Sequence, residues 1–302
     1  MESLQARSVA STTRAAGDKL MADETRIRVA YQGERGAFSE DAARKLLGPE
    51  IETLPNRTFD EMFESVSSGV ARCAVVPIEN SLAGSVHKNY DLLVEHELTI
   101  IGETYIRIVH NLIAPLAVAL SDIRRVYSHP VALAQCERFL RANPQIEVAP
   151  AYDTAGSVKM VVENNRKDEG AIAGATAASV YGAQIIAEAI EDNPKNFTRF
   201  LLLARAGDAL AIGGSANERK TTIVFRVANR PGALFRSLAA FALRDIDLAK
   251  IESRPIEGRP WEYSFYLDLI GDSSEPNVER ALANLAEMAE SIRVLGSYPT
   301  KG

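Results

Sequence analysis

Between residues 26 and 205 short apolar runs repeatedly give way to polar loops marked by Gly or Pro, and each loop opens an amphipathic stretch. That alternation is the strongest constraint on the fold. Residues 27–31 (IRVAY) break at Gln32-Gly33-Glu34-Arg35-Gly36, where glycine permits turns denied to other residues; Ser39 then precedes a helix-compatible stretch stopped by Gly48-Pro49. Thr58 and Glu61 fit a capping box, and Phe59, Met62, Phe63, Val66 and Val70 recur at the spacing of a core-facing helix. Residues 73–76 read as a buried strand and Pro77-Ile78-Glu79-Asn80-Ser81 as a polar loop leading toward Gly84, before the pattern resumes at Leu92 and Leu93. Residues 105–113 are β-rich but carry His110-Asn111. After residues 125–127, Ser128 is placed to cap a helix with apolar face Leu133, Cys136, Phe139 and Leu140, Pro130 suiting its first turn. Residues 146–149 precede Asp153-Thr154-Ala155-Gly156-Ser157, a loop that caps a helix bearing Val158, Val161 and Val162, and residues 170–173 and 200–203 close the series. The order predicts an α/β domain over residues 26–205, with polar residues gathered where strands meet helices.

Residues 206–220 (AGDALAIGGSANERK) read as a linker. Beyond it the periodicity changes over residues 221–299: a β-branched strand, a turn at Pro231-Gly232, a helix marked by Leu234, Leu238 and Phe241, and two strands, the second alternating through Tyr263, Phe265, Leu267 and Leu269. A helix through Val278, Leu282, Leu285 and Met288 and a last strand follow. The order β-α-β-β-α-β is ferredoxin-like, and such small domains present a sheet edge that pairs with a second copy. Residues 1–25, polar and without the apolar core of a secretory signal, read as a disordered extension.

Composition narrows the function. The 34 Lys and Arg against 40 Asp and Glu give a net charge of −6, with no basic stripe for nucleic acid or an anionic membrane. No apolar run approaches the roughly 20 residues that span a bilayer. Cys73 and Cys136 stand in separate apolar contexts, which fits a reducing compartment and a cytoplasmic setting, or a plastid if the source is a plant or alga. His87, His96, His110 and His129 show no metal spacing, and Gln32, Gly33 and Gly36 lack the GxGxxG of a dinucleotide site, so no cofactor is expected.

Five motifs carry a resemblance: Tyr31-Gln32-Gly33 with Gly36-Ala37-Phe38-Ser39-Glu40; Pro77-Ile78-Glu79-Asn80-Ser81 with Gly84; Ser128-His129-Pro130 with Gln135-Cys136; Asp153-Thr154-Ala155-Gly156; and Asn196-Phe197-Thr198-Arg199-Phe200. They occur in the order and spacing of prephenate dehydratases. Residues 221–299 resemble the attached ACT regulatory domain through Gly232-Ala233-Leu234-Phe235 and Glu252-Ser253-Arg254-Pro255. Arogenate dehydratases share these motifs, and residues 293–299 (RVLGSYP) are especially like theirs.

The resemblance implies a two-lobed catalytic domain similar to type 2 periplasmic binding proteins, with substrate in the cleft between lobes and decarboxylative dehydration of prephenate to phenylpyruvate in phenylalanine biosynthesis. It makes Thr198 the catalytic residue, a hydrogen-bond donor to the leaving hydroxyl. Asn80, Ser81, Thr154, Ala155 and Ser157 are expected at helix starts that hold the substrate carboxylates, with Phe200 beside them and Arg199 offering a planar fork to a carboxylate. Glu79 is open between a salt bridge and catalysis, and His129 between a loop residue and a base. In the ACT domain Asn229, Gly232, Ala233, Leu234, Phe235, Glu252, Ser253 and Arg254 are the expected effector site, phenylalanine the expected effector, and a dimer or tetramer the expected assembly. A non-catalytic amino-acid or carboxylate sensor built from the same parts is the rival reading.

Overall fold

The computed structural model describes residues 26–208, 210 and 218–300. The expected extension over residues 1–25, and positions 209 and 211–217 of the expected linker, lie outside them.

Three sheets organise the described chain. In the first, β1 (Arg28–Gln32) lies between β2 (Glu52–Asn56) and β3 (Cys73–Asn80), parallel to both. The antiparallel β11 (Phe197–Ala204) separates β3 from β5 (Thr99–Arg107), and the two-residue β4 (Gly84–Ser85) pairs with the end of β3. Helices α1 (Phe38–Leu47), α2 (Phe59–Ser67) and α3 (His87–Glu95) cover this sheet, burying Ala42, Ala43 and Leu46, then Met62, Phe63 and Val66, then Leu92 and Leu93. The capping box of Thr58 and Glu61 forms as expected. Val70 falls beyond the end of α2 and is exposed.

The second sheet runs β10 (Gln184–Ala187), β6 (Asn111–Ala114), β9 (Glu169–Ala173), β7 (Arg125–Ser128), β8 (Glu147–Pro150). Helices α4 (Pro130–Ala134), α5 (Glu137–Ala142), α6 (Thr154–Asn164) and α7 (Ala175–Tyr181) belong to this lobe. The chain passes between the lobes twice, from β5 to β6 and from β10 to β11; each lobe has a core of its own, and Tyr31 and Ala37 of the first pack with Ile113, Ala155 and Ala173 of the second where the two meet beside the cleft.

Three local expectations change. The segment expected as a loop after residue 76 is strand through Asn80, because Glu79 and Asn80 pair on both sides, with Thr198 and Arg199 and with Gly84 and Ser85. Asn80 and Ser81 therefore end a strand rather than begin a helix. Ser39 lies inside α1, whose cap is Ala37. His129, not Ser128, caps α4: its Nδ1 accepts the Val131 N–H at 3.2 Å, while the buried Ser128 hydroxyl donates to the Ile172 carbonyl. The helix expected through Leu140 also breaks after α4, where the Gln135 carbonyl accepts the Asp192 N–H at 2.7 Å instead of continuing the helical ladder.

The third sheet has the order β13 (Leu248–Ile256), β14 (Arg259–Ile270), β12 (Arg219–Arg226), β15 (Ser291–Pro299), with α8 (Ala233–Ala242) and α9 (Pro276–Ala286) on one face. This is the expected β-α-β-β-α-β order. Its other face packs on the first lobe, where Val224, Tyr266, Leu295 and Tyr298 share a core with Leu93, Leu98 and Ile100. Fully burying a large apolar side chain is worth about 1.5–3 kcal/mol, so this seam belongs to the folded core. At Gly296 the strands come so close that an added Cβ would sit 2.0 Å from the Ile100 carbonyl oxygen. The run at residues 293–299 thus builds the contact between domains, with Arg293 donating to the carbonyls of Leu93, Val94 and Leu98.

Candidate active site

A cleft of about 470 Å³ opens between the lobes. It takes Asn80 and residues 83–86 from the β3–β4 hairpin, Thr198 and Phe200 from β11, Gln32 to Ser39 in part from the loop into α1, and His129, Gln135, Asp153 and Thr154 from the second lobe. None of its lining residues is Lys or Arg. An anion held here meets instead the N-termini of α1 and α6, where the first two amides, of Phe38 and Ser39 and of Thr154 and Ala155, precede the helical ladder and the dipoles favour negative charge. The Glu40 amide is held by the Ala37 carbonyl and the Gly156 amide by the capping Asp153.

A chain of side-chain amides fixes the proton on Thr198. The Asn80 Oδ1 accepts the N–H groups of Leu82 and Ala83 at 3.0 and 2.8 Å, which settles which end of the amide is oxygen. Its Nδ2 then donates to Thr198 Oγ1 at 2.9 Å and to Asn196 Oδ1 at 2.8 Å. Because Thr198 Oγ1 accepts from this side, its own proton is free to be donated into the cleft. Behind Asn80, Gln135 Oε1 accepts from Asn196 Nδ2 at 2.9 Å and lies 3.0 Å from His110 Nε2. Gln135 Nε2 in turn approaches Asn80 Oδ1 at 3.4 Å, so its oxygen faces His110 and the histidine proton is on Nε2. Burial pushes the His110 pKa down and keeps the ring neutral.

At the rim the lobes are clasped. Tyr152 accepts from Gln32 Nε2 at 3.2 Å and reaches the Asn56 carbonyl at 3.4 Å, and Asp153 Oδ2 accepts the Glu34 N–H at 3.1 Å. Burial raises the Asp153 pKa against the lowering by the Gly156 and Glu34 amides. His129 Nδ1 is committed to its cap, so the neutral ring carries its proton on Nε2; burial pushes its pKa down, opposed by nearby Asp153. Gly36, at φ +84, completes the clasp: a Cβ there would lie 2.7 Å from the Ala177 Cα of the other lobe.

The expected substrate residues divide. Thr198, Asn80, Thr154 and Phe200 line the cleft together. Ser81 instead braces the turn, donating to the Lys195 carbonyl and accepting the Phe197 N–H. The Ala155 side chain is buried in the second lobe, and the Ser157 hydroxyl donates back to the Asp153 carbonyl. Arg199 departs furthest from expectation. Adjacent strand residues face opposite ways, so with Thr198 toward the cleft Arg199 points to the third sheet. There it contacts Glu103 at 2.7 Å, Asp268 at 2.5 Å and Tyr298 at 3.0 Å, with Lys220 on Glu103 at 2.7 Å and Thr222 on Asp268 at 2.7 Å. Burial works against its charge, but Asp268, Tyr298 and Glu103 outweigh it and hold the guanidinium firmly protonated. Glu79 is likewise a salt-bridge residue, 2.9 Å from Lys250.

In the C-terminal domain Gly232 caps α8 at φ +76, ahead of Ala233, Leu234 and a strongly exposed Phe235. Asn229 Nδ2 donates to the Trp261 carbonyl. Alternation on β13 exposes Ser253 but turns Glu252 and Arg254 toward the catalytic lobe, onto Ser85 and Asp91. Their side chains are therefore engaged by the first lobe. His110, Gln135, Tyr152 and Asp153 also line the cleft, with buried Asn196 behind Asn80; none is among the expected site residues, although Gln135, Asn196 and Asp153 stand inside the motifs. Among the described residues no cluster of His, Cys, Asp and Glu is arranged to hold a metal, and no helix is long and apolar enough to cross a membrane.

Known proteins share this architecture. A family model described as prephenate dehydratase matches residues 29–208, and one described as ACT domain matches residues 221–287. An Arabidopsis thaliana protein described as arogenate dehydratase/prephenate dehydratase 2, chloroplastic, is 46% identical over 284 residues, spanning 91% of this chain and 73% of its own. A prephenate dehydratase from Arthrobacter aurescens, solved in complex with L-Phe, superposes with a TM-score of 0.82 at 35% identity, covering 90% of each chain. A solved protein described as GqqA, a novel type of quorum quenching acylase, superposes with a TM-score of 0.81 at 36% identity over 91% of this chain and 98% of that one.

Proposed function

The chain belongs to the prephenate dehydratase family, with an ACT domain in the same polypeptide, and from that premise we propose that its interlobe cleft converts prephenate to phenylpyruvate by decarboxylative dehydration. The observation that carries this is the Thr198 hydroxyl, left free to donate by the oriented Asn80 amide, in a cleft whose anion-binding groups are helix N-termini. The ring carboxylate leaves as carbon dioxide, its C–C bond electrons complete the aromatic ring, and the ring hydroxyl departs with one added proton as water. Thr198 donates a hydrogen bond to that departing oxygen, and the net proton comes from solvent. Aromatisation drives the reaction, so the enzyme's task is to hold a dianion and stabilise the leaving oxygen. A positioned donor is worth about 10² to 10⁴ in rate.

The amides that open α1 and α6 hold the two carboxylates, with Thr154 and the His129 Nε2–H beside them and Phe200 along the ring. This keeps Thr154 and the Ala155 backbone in the expected role, while Ser81 and Ser157 act only by bracing the loops that carry it. Phenylalanine binds at the ACT segments around Gly232 and Ser253 and inhibits its own synthesis. The ACT domain of this family and the L-Phe held by the Arthrobacter protein support an amino-acid effector. Phe235, Leu243, Ile251 and Trp261 are all exposed on that domain, and β13 is an edge strand of its sheet, which suits assembly into a dimer or tetramer. The compartment follows the source: cytoplasm, or plastid in a plant or alga, as for the chloroplastic relative.

Arogenate is the second substrate reading, favoured by the identity to a relative described with both activities. The test is steady-state turnover on prephenate and arogenate in parallel, with and without phenylalanine. A kcat/KM preference for either names the substrate. Turnover of neither, with phenylalanine still bound, returns the protein to the sensor reading.

A further inference from the structure

Three alternate residues of β13 face one segment of the catalytic lobe. Lys250 Nζ lies 2.9 Å from Glu79 Oε1 and donates to Ser85 Oγ at 3.1 Å; Ser85 Oγ donates to Glu252 Oε2 at 2.5 Å; and Glu252 Oε1 lies 3.3 Å from His87 Nε2. Two strand positions on, Arg254 grips Asp91 of α3 at 2.7 and 3.1 Å. The β3–β4 hairpin held this way is a wall of the cleft: Ala83, Gly84, Ser85 and Val86 line it, and Asn80, which orients Thr198, pairs with Gly84. Within the sheet β4 pairs only with β3, so the side-chain ties of Ser85 run outward to the regulatory strand.

From this arrangement we propose that Lys250 and Glu252 are positioning residues for the dehydratase cleft, acting through the hairpin of residues 79–86. The proposal rests on the reading of the cleft given above. Lys250 sits between the carboxylates of Glu79 and Glu252, at 2.9 and 3.6 Å. Without its charge those carboxylates repel and Ser85 loses a donor, so the hairpin moves outward and the Asn80 amide loses its aim on Thr198. Because Ser253 lies between Glu252 and Arg254, a shift of β13 on effector binding is passed directly to the cleft wall through the Glu252–Ser85 contact.

The experiment compares the full-length chain with its Lys250→Met and Lys250→Arg variants, without effector, by amide hydrogen exchange over residues 80–86 and by kcat and KM. The expected result is at least tenfold faster exchange in that segment and at least a tenfold loss of kcat in Lys250→Met, both mostly restored by Lys250→Arg. Exchange and kcat within twofold of wild type overturn the proposal, and so does faster exchange with unchanged turnover. If Lys250→Met does not fold, Glu252→Ala carries the same expectation and the same contrary result. Wild-type inactivity on both substrates sinks the functional reading, while the exchange data still decide whether β13 holds the hairpin.

Discussion

Asn80 decides which way the Thr198 hydroxyl points, and two backbone amides decide which way Asn80 points. Thr198 and Asn80 were legible in the sequence because both stand in motifs. The chain behind them was not, since Asn196 meets Asn80 across 116 residues and Gln135 meets Asn196 across 61, and such contacts leave no local pattern. Arg199 departs from expectation for a simpler reason: the apolar run reads as strand only from residue 200, whereas β11 begins at Phe197 and its alternation sends residues 198 and 199 to opposite faces. His110 supplies a prediction at this scale. Burial lowers its folded-state pKa, so as pH falls the unfolded chain, with an ordinary value of about 6.5, takes up the proton first. Its contribution to stability is full above about 6.5 and is lost as pH falls from there toward the folded value. Urea midpoints are expected to drop between about pH 7 and 5, and to drop less in His110→Gln, which keeps a donor toward Gln135.

Elements were the most readable scale. Periodicity placed α2, α6, α8 and α9, and the expected capping box at Thr58 formed. The misses lie where long-range pairing overrides local polarity. Pro77 to Asn80 look like a loop, yet they become strand because β11 returns from the far end of the catalytic domain to pair with them. The Gly296 contact was equally hidden, since only the packing of β15 on β5 shows why a side chain is excluded there. Gly296→Ala is expected to force the regulatory sheet off the first lobe and lower the Tm by several degrees, at about 4 °C or less per kcal/mol for a chain beyond 150 residues. An unchanged Tm would mean the strands part at no cost.

At the scale of the whole molecule the dehydratase-family and ACT domains are joined through β11, the strand that bears Thr198. Arg199, Lys220, Glu103 and Asp268 are all buried, and they balance to zero charge across the seam. Removing one partner from such a group strands the others in low dielectric and costs about 3–5 kcal/mol. Arg199→Met is expected to lose about that much in denaturant unfolding, and a loss below about 1 kcal/mol would show that the network adds nothing to the seam. Composition and motif order disclosed both domains, but a seam made of residues scattered from 103 to 298 has no signature along the chain. The account centres on Thr198 as donor to the leaving hydroxyl, and its most direct test is kcat and KM of Thr198→Val on the better of the two substrates. The account predicts a kcat about 10² to 10⁴ lower with KM changed only a few-fold, because the near-isosteric side chain fills the same space but lacks the hydroxyl, losing both the donor to the leaving oxygen and the acceptor for Asn80 Nδ2. A kcat within threefold of wild type would contradict it.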